Sequence, residues 1–139
     1  MKIKKLISFI NIFLFCILLS TANTFAVEGA KGIIKERMDK FKESKQLMKK
    51  INVGLQNDNF KVIEESAQML LLWSKEMPKF FPKGSDISPS EASSDIWLNP
   101  EGFNEAIKNF ELASLDLINQ SNTNDRDKTI NAFRNLAGT

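Results

Sequence analysis

Apolar residues recur every three or four positions along most of the chain, which is the spacing that lines one face of a helix. The first such row runs through residues 28–56, and the second runs through residues 60–77. Their members are Ile34, Met38, Phe41, Met48, Ile51 and Leu55, then Phe60, Ile63, Ala67, Leu70, Ser74 and Met77. No long stretch alternates with a period of two, so the pattern predicts an all-α protein.

Two further rows follow a long irregular stretch. The third starts near Pro100 and the fourth follows Asp125; their apolar positions are Phe103, Ile107, Phe110, Ser114, Leu117, then Ile130, Phe133 and Leu136 or Ala137. Polar residues mark the boundaries, because their side chains cap free backbone N–H groups. We expect N-caps at Asp58 or Asn59, at Asn99 and at Asp125, and a stop at Pro78.

Residues 78–99 break the helical pattern with prolines, a glycine and many serines. The segment nevertheless carries the large apolar residues Phe80, Phe81, Ile96 and Trp97. Two interpretations are open. The loop is pinned to the core and contributes to a functional site, or its aromatic side chains only plug one end of the bundle.

Four amphipathic segments joined by short, long and short connections predict an antiparallel up-down-up-down four-helix bundle. The fourth helix is the shortest, so it covers only part of the apolar stripes of the other three. The uncovered strip favours a homodimer, partial melting or poor solubility.

The N-terminal segment has the organisation of a secretory signal. Lys2, Lys4 and Lys5 precede an apolar run from residue 6 to 19, and small residues flank Phe25 at Thr24 and Ala26. The run is shorter than the roughly 20 residues of a spanning helix, which is the alternative interpretation. We therefore predict a signal peptide at residues 1–26, cleaved near Ala26, one domain at residues 27–139, and membrane contact only during export.

Composition limits the chemistry of that domain. The chain has no histidine, and its single cysteine, Cys16, lies within the signal segment. Cleavage removes three of the 19 basic residues and none of the 17 acidic ones, which leaves one net negative charge. We therefore expect no nucleic-acid partner. We also predict no enzyme and no metal site, because helical carboxylates such as Glu64 and Glu65 are typical of a solvated face.

Several short motifs follow one another along the chain: the first-helix stretch 34–41, Phe81-Pro82-Lys83-Gly84-Ser85, Ser90-Glu91-Ala92, Ile96-Trp97 and the final stretch 132–139. Together, in this order, they resemble the cytochrome c′ family of periplasmic haem proteins. The resemblance covers nearly all of the predicted domain. It implies a four-helix bundle that binds haem c, transfers electrons and meets a periplasmic redox partner.

The resemblance also implies haem contacts at four positions. Arg37 matches the arginine that pairs with a haem propionate, Met38 the next contact, Phe41 the distal position and Glu91 a loop contact at the haem edge. Phe41 cannot ligate iron, so a bound haem would have an open, apolar distal face. Each residue also has an ordinary interpretation: Arg37 as a solvated charge, Met38 and Phe41 as core, and Glu91 as surface.

The chain departs from the family at the haem attachment site. In the family, the segment matching 132–139 continues into Cys-x-x-Cys-His, which supplies two thioether bonds and the axial ligand. Here the sequence ends at Thr139. We therefore expect a C-terminally incomplete domain without covalent haem or electron transfer. The alternative is a haem-free periplasmic module that binds a ligand or partner in its open groove.

Overall fold

Helices dominate the part of the chain that the computed structural model describes, residues 31–139. They are α1 (Gly32–Gln56), α2 (Phe60–Glu76), α3 (Asp95–Leu98), α4 (Pro100–Ser121) and α5 (Arg126–Ala137), with a 3₁₀ turn at Met77–Phe80 after α2. No strand occurs in these residues, which confirms the all-α prediction. The predicted signal segment lies outside them. Within residues 31–139, no helix is long and apolar enough to span a bilayer.

The four long helices form the predicted bundle. Each of α1, α2, α4 and α5 packs on the next, and α5 returns to α1, while the single turn α3 packs on α4. Short turns at 57–59 and 122–125 reverse the chain at one end, which we call the turn end. At the opposite end, the loop end, residues 77–99 connect α2 to α4.

Capping side chains set the helix starts, as predicted. Asn59 Oδ1 accepts a hydrogen bond from Val62 N at 3.2 Å, and Asn99 Oδ1 accepts one from Gly102 N at 3.1 Å. Asp125 accepts from Lys128 N at 3.1 Å. These bonds satisfy backbone donors that have no partner inside the helix.

The main core fills the bundle from its middle to the turn end. Its fully enclosed members include Ile51 on α1, Ile63 and Leu70 on α2 and Leu117 on α4. At the turn end, α1 and α2 approach so closely that a Cβ on Gly54 would lie 2.8 Å from Ile63 Cγ1. Glycine at position 54 therefore permits the close packing of the two helices.

The buried face of α1 differs from the predicted row at the loop end. Met38 and Phe41 are each 47% exposed, whereas Arg37 is only 3% exposed and Leu47 is buried. The inward position is occupied by the Arg37 side chain, whose polar groups are satisfied by the loop. This arrangement turns Met38 and Phe41 toward the edge of the bundle.

Candidate functional site

Aromatic side chains from three helices and the loop gather at the loop end. Phe41 on α1 lies 5.7 Å from Trp73 on α2 and 6.3 Å from Phe81 in the loop, between ring centroids. Phe81 also lies 4.9 Å from Phe103 on α4. These edge-to-face pairs favour a fixed arrangement of the rings. The loop is therefore joined to the helices by ring packing.

Arg37 fixes the same loop through its guanidinium group. Nη1 donates to Phe80 O and to Ser85 Oγ, both at 2.9 Å. Nη2 donates to Ser85 O at 2.8 Å and to Ser90 Oγ at 2.7 Å. The guanidinium carbon lies 4.5 Å from the centre of the Phe81 ring, a cation–π distance. One buried side chain thus holds three separate points of the loop.

No carboxylate in residues 31–139 forms an ion pair with Arg37. Burial alone lowers the pKa of Arg37 from its ordinary value. A guanidinium nevertheless stays protonated in proteins. The positive charge is therefore stabilised by two carbonyl oxygens, two hydroxyls and an aromatic face in place of an anion.

The aromatic residues of the loop are anchored to the bundle, which was one of the two interpretations of the sequence. Trp97 on α3 donates through Nε1 to Phe81 O at 3.1 Å and to Pro82 O at 3.2 Å. None of the loop aromatics is fully enclosed. Of these loop aromatics, Phe81 lines a cavity at the loop end.

The first cavity, which we call the arginine pocket, brings together all four residues that the family resemblance implies. Arg37, Met38, Phe41 and Glu91 line it, together with Phe81, Ala92, Ser93 and Ile96, and its volume is about 500 Å³. Glu91 is exposed at its edge. Their assignment to haem contact stays a prediction, although both terminal nitrogens of Arg37 are already bonded to the loop.

The second cavity, which we call the apolar cavity, lies between α1, α2, α4 and α5 and measures about 330 Å³. Phe41 borders both cavities. The lining of the second is almost wholly apolar: Phe41, Ser44, Met48, Leu70, Trp73, Met77, Phe103, Ala106, Ile107, Phe110, Leu136, Ala137 and Thr139. No charged side chain is among them. The size and lining are typical of small-molecule sites.

Sequence reasoning predicted an open groove beside the short fourth helix and placed most of these residues on apolar faces, but it did not name the residues that line the cavity. The sequence feature that could have indicated the cavity is the small size of two residues at its rim. They are Ala106 on α4 and Ala137 on α5, and both are exposed. Helix faces that meet through alanines leave space where larger residues would close it.

A family model for Cytochrome C′ matches residues 32–139. The chain belongs to the cytochrome c′ family. Crystal structures show the same fold: cytochrome c′ from Thermochromatium tepidum has a TM-score of 0.68 at 17% identity. Cytochrome c′ from Rubrivivax gelatinosus has a TM-score of 0.67 at 23% identity. Each comparison covers 76% of this chain and 86% of the other. No curated protein matches the sequence.

Members of the cytochrome c′ family bind haem c, so the described residues can be tested against that group. The apolar cavity shares the apolar character of a porphyrin face, but its volume is about 330 Å³. The donor set does not suit the iron or the attachment of haem c, because residues 31–139 contain no cysteine and no histidine. No three acidic, histidine or cysteine side chains of these residues meet at a metal-binding distance. Met48 and Met77 offer only neutral thioethers. The described residues therefore do not fit the ligation or the attachment of haem c.

Proposed function

We propose that this polypeptide is an exported, haem-free bundle of the cytochrome c′ family that transfers no electrons. The observation that carries the proposal is the donor set. Covalent attachment of haem c requires thiols, and axial ligation in this family requires an imidazole. Residues 27–139 supply neither group. Phe41, which matches the distal position, has no atom that can ligate iron.

The state of Arg37 supports the same proposal. A propionate bound by a forked pair of hydrogen bonds needs two N–H groups on one side of the guanidinium. Both terminal nitrogens of Arg37 already donate to Phe80, Ser85 and Ser90. The loop therefore supplies the acceptors that a haem carboxylate would otherwise provide.

The proposed location is the periplasm, with cleavage of the signal peptide near Ala26 and membrane contact only during export. The family is periplasmic, and the charged, apolar and small-residue regions of segment 1–26 follow the order of a secretory signal. We propose no enzyme activity and no nucleic-acid partner for the domain. A homodimer is the proposed assembly, and a redox partner is expected only for a haem-loaded form.

A second function, ligand binding by the haem-free bundle, is favoured by the apolar cavity. Its floor includes the buried residues Leu70, Trp73 and Leu136, and its rim is exposed. A site that is open and apolar and lies between helices can bind a small molecule without iron.

The deciding experiment is expression of the full-length gene with the cytochrome c maturation machinery. We expect no haem stain on the purified protein after denaturing electrophoresis, which removes non-covalent haem. The positive control is an extended variant in which Cys-x-x-Cys-His follows Thr139, and this variant should stain. Covalent haem on the unextended chain would refute the proposal. Haemin binding at micromolar affinity that Arg37→Ala weakens would refute it as well.

A further inference from the structure

The walls of the apolar cavity indicate which class of ligand it selects. We infer that it binds a compact, neutral aromatic molecule whose only polar group is a hydrogen-bond donor, such as a phenolic hydroxyl. The inference rests on the second proposed function, ligand binding by the haem-free bundle, and names its ligand class. The family's own cofactor is a dicarboxylate, so the two classes are chemically distinct.

The lining of the apolar cavity carries no charged side chain, which disfavours an ionised ligand. No Lys, Arg, Asp or Glu lines the cavity. The nearest buried cation, Arg37, lies in the adjoining arginine pocket and has its terminal nitrogens bonded to the loop. An ionised ligand would lose its hydration without gaining a partner, which is strongly unfavourable. The lining of the cavity therefore favours uncharged ligands over carboxylates and ammonium groups.

The two hydroxyls at the cavity determine the polarity of a neutral ligand. Ser44 Oγ donates its hydrogen to Lys40 O at 3.0 Å, and Thr139 Oγ1 donates to Leu136 O at 2.8 Å. Each hydroxyl has a single hydrogen to donate, so both oxygens remain free only as acceptors. A ligand hydroxyl or N–H matches these two acceptors.

Aromatic preference follows from the remaining walls. Phe41, Trp73 and Phe103 present ring surfaces, and Met48 and Met77 contribute thioethers. Aromatic pairs and sulfur–aromatic contacts favour a flat ring over an aliphatic chain of similar area. A volume of about 330 Å³ lies at the small end of ligand sites, which points to one or two fused rings.

Isothermal titration calorimetry on the protein purified from the periplasm tests the inference with 2-naphthol and 2-naphthoate. These probes share the same rings and differ in charge. We expect 2-naphthol to bind at least about tenfold more tightly than 2-naphthoate, because the carboxylate must be desolvated. Methoxynaphthalene, which lacks the donor, should bind more weakly than 2-naphthol.

Variants on α4 locate the site. Ala106→Phe fills the rim of the cavity and should reduce 2-naphthol affinity by about tenfold or more, since the ring displaces the ligand from apolar surface. Asn104→Phe adds the same ring to an exposed position of the same helix that lines no described cavity, and should bind as the parent does. Circular dichroism checks that both variants are folded.

The outcomes separate the inference from the proposals on which it rests. Equal or tighter binding of 2-naphthoate overturns the ligand class while leaving the binding function in place. Binding of 2-naphthol that Ala106→Phe does not weaken overturns the location. No binding of any of the three probes overturns both the ligand class and the binding function. Haem content, measured separately by the stain, decides the haem-free proposal.

Discussion

The two ends of the bundle are built on different principles. At the turn end, neighbouring residues close the helices: Asn59 and Asp125 cap α2 and α5, and Gly54 allows α1 to approach Ile63. At the loop end, Arg37 holds residues 43 to 53 positions away along the chain. The helix caps of the first end are local, and its long-range bond from Arg126 to Asp58 is exposed at the surface. The second end depends on long-range contacts.

The difference extends to how completely polar groups are satisfied. In residues 31–139, the buried side-chain polar atom without a hydrogen-bond partner is Trp73 Nε1, near the loop end. A buried donor without a partner destabilises a fold. The loop end therefore combines a cavity, an unpaired donor and a buried cation. Regions of lower packing density are where binding sites are usually found, and the comparison places the candidate site there.

The largest predicted effect distinguishes the packing of the two ends. Leu117→Ala, at a fully enclosed position nearer the turn end, should lower the free energy of unfolding by about 3–5 kcal/mol, because it opens a new cavity. Ile107→Ala on the same helix should cost about 1 kcal/mol, since that half-buried side chain already borders the apolar cavity. Urea unfolding measures both. Equal losses would contradict the difference in packing.

The next prediction compares two arginines. Arg37→Ala should cost about 2–4 kcal/mol, because it removes hydrogen bonds from a charged donor and leaves buried oxygens unpaired. Arg126→Ala at the turn end breaks an exposed pair with Asp58 and should cost less than about 1 kcal/mol.

Limited trypsin digestion adds a local readout for Arg37. Cleavage after Lys83, an exposed residue of the loop, should accelerate in Arg37→Ala and not in Arg126→Ala. Arg37→Lys keeps the charge but cannot reproduce the forked hydrogen bonds, so it should resemble Arg37→Ala. A loop that stays resistant in both Arg37 variants would show that ring packing alone holds it.

Helix capping gives a smaller effect. Asn59→Ala at the turn end should cost about 1 kcal/mol, because the side chain bonds Val62 N. Ser94→Ala at the start of α3 should change the unfolding free energy by less than about 0.5 kcal/mol, since Ser94 makes no side-chain cap bond. Thermal unfolding of both variants checks the contrast. A larger loss for Ser94→Ala would reverse it.

The smallest prediction concerns pH. Hydrogen bonds from the backbone and side chain of Lys128 hold the pKa of Asp125 below its ordinary value. A lowered folded-state pKa contributes stability above the unfolded pKa, and this stability is lost as pH falls through the folded value. The protection factor against hydrogen exchange at the start of α5, which corrects for the pH dependence of intrinsic exchange, should therefore fall below about pH 4. Asp125→Asn should reduce that acid dependence, and an unchanged dependence would refute the assignment.

Sequence periodicity predicted the turn end well, because its determinants are local. The N-caps at Asn59 and Asp125 follow from capping residues, and the order of the four long helices follows from apolar spacing. The loop end was harder to predict from the sequence. An arginine in an amphipathic helix is usually exposed. The burial of Arg37 could therefore not be inferred without Ser85 and Ser90, which approach Arg37 only in the folded chain. The single turn α3 was also missed within a segment rich in serine and proline.

The candidate site was also predicted only in part from the sequence. Family resemblance placed Arg37, Met38, Phe41 and Glu91 together, and they do line one pocket. It could not reveal that the loop occupies the donors of Arg37. The resemblance also could not reveal the apolar cavity or its uncharged lining, because a cavity depends on how side-chain volumes from four helices combine.

We expect the bundle to form a fixed structure without haem. Near-ultraviolet circular dichroism of haem-free protein from the periplasm tests this expectation, because Trp73 and Trp97 both lie at the loop end and their signals require fixed packing. A fixed structure should give a structured aromatic spectrum that disappears in one cooperative unfolding transition. Helical far-ultraviolet signal without an aromatic spectrum, or an aromatic spectrum that develops only on adding haemin, would contradict it.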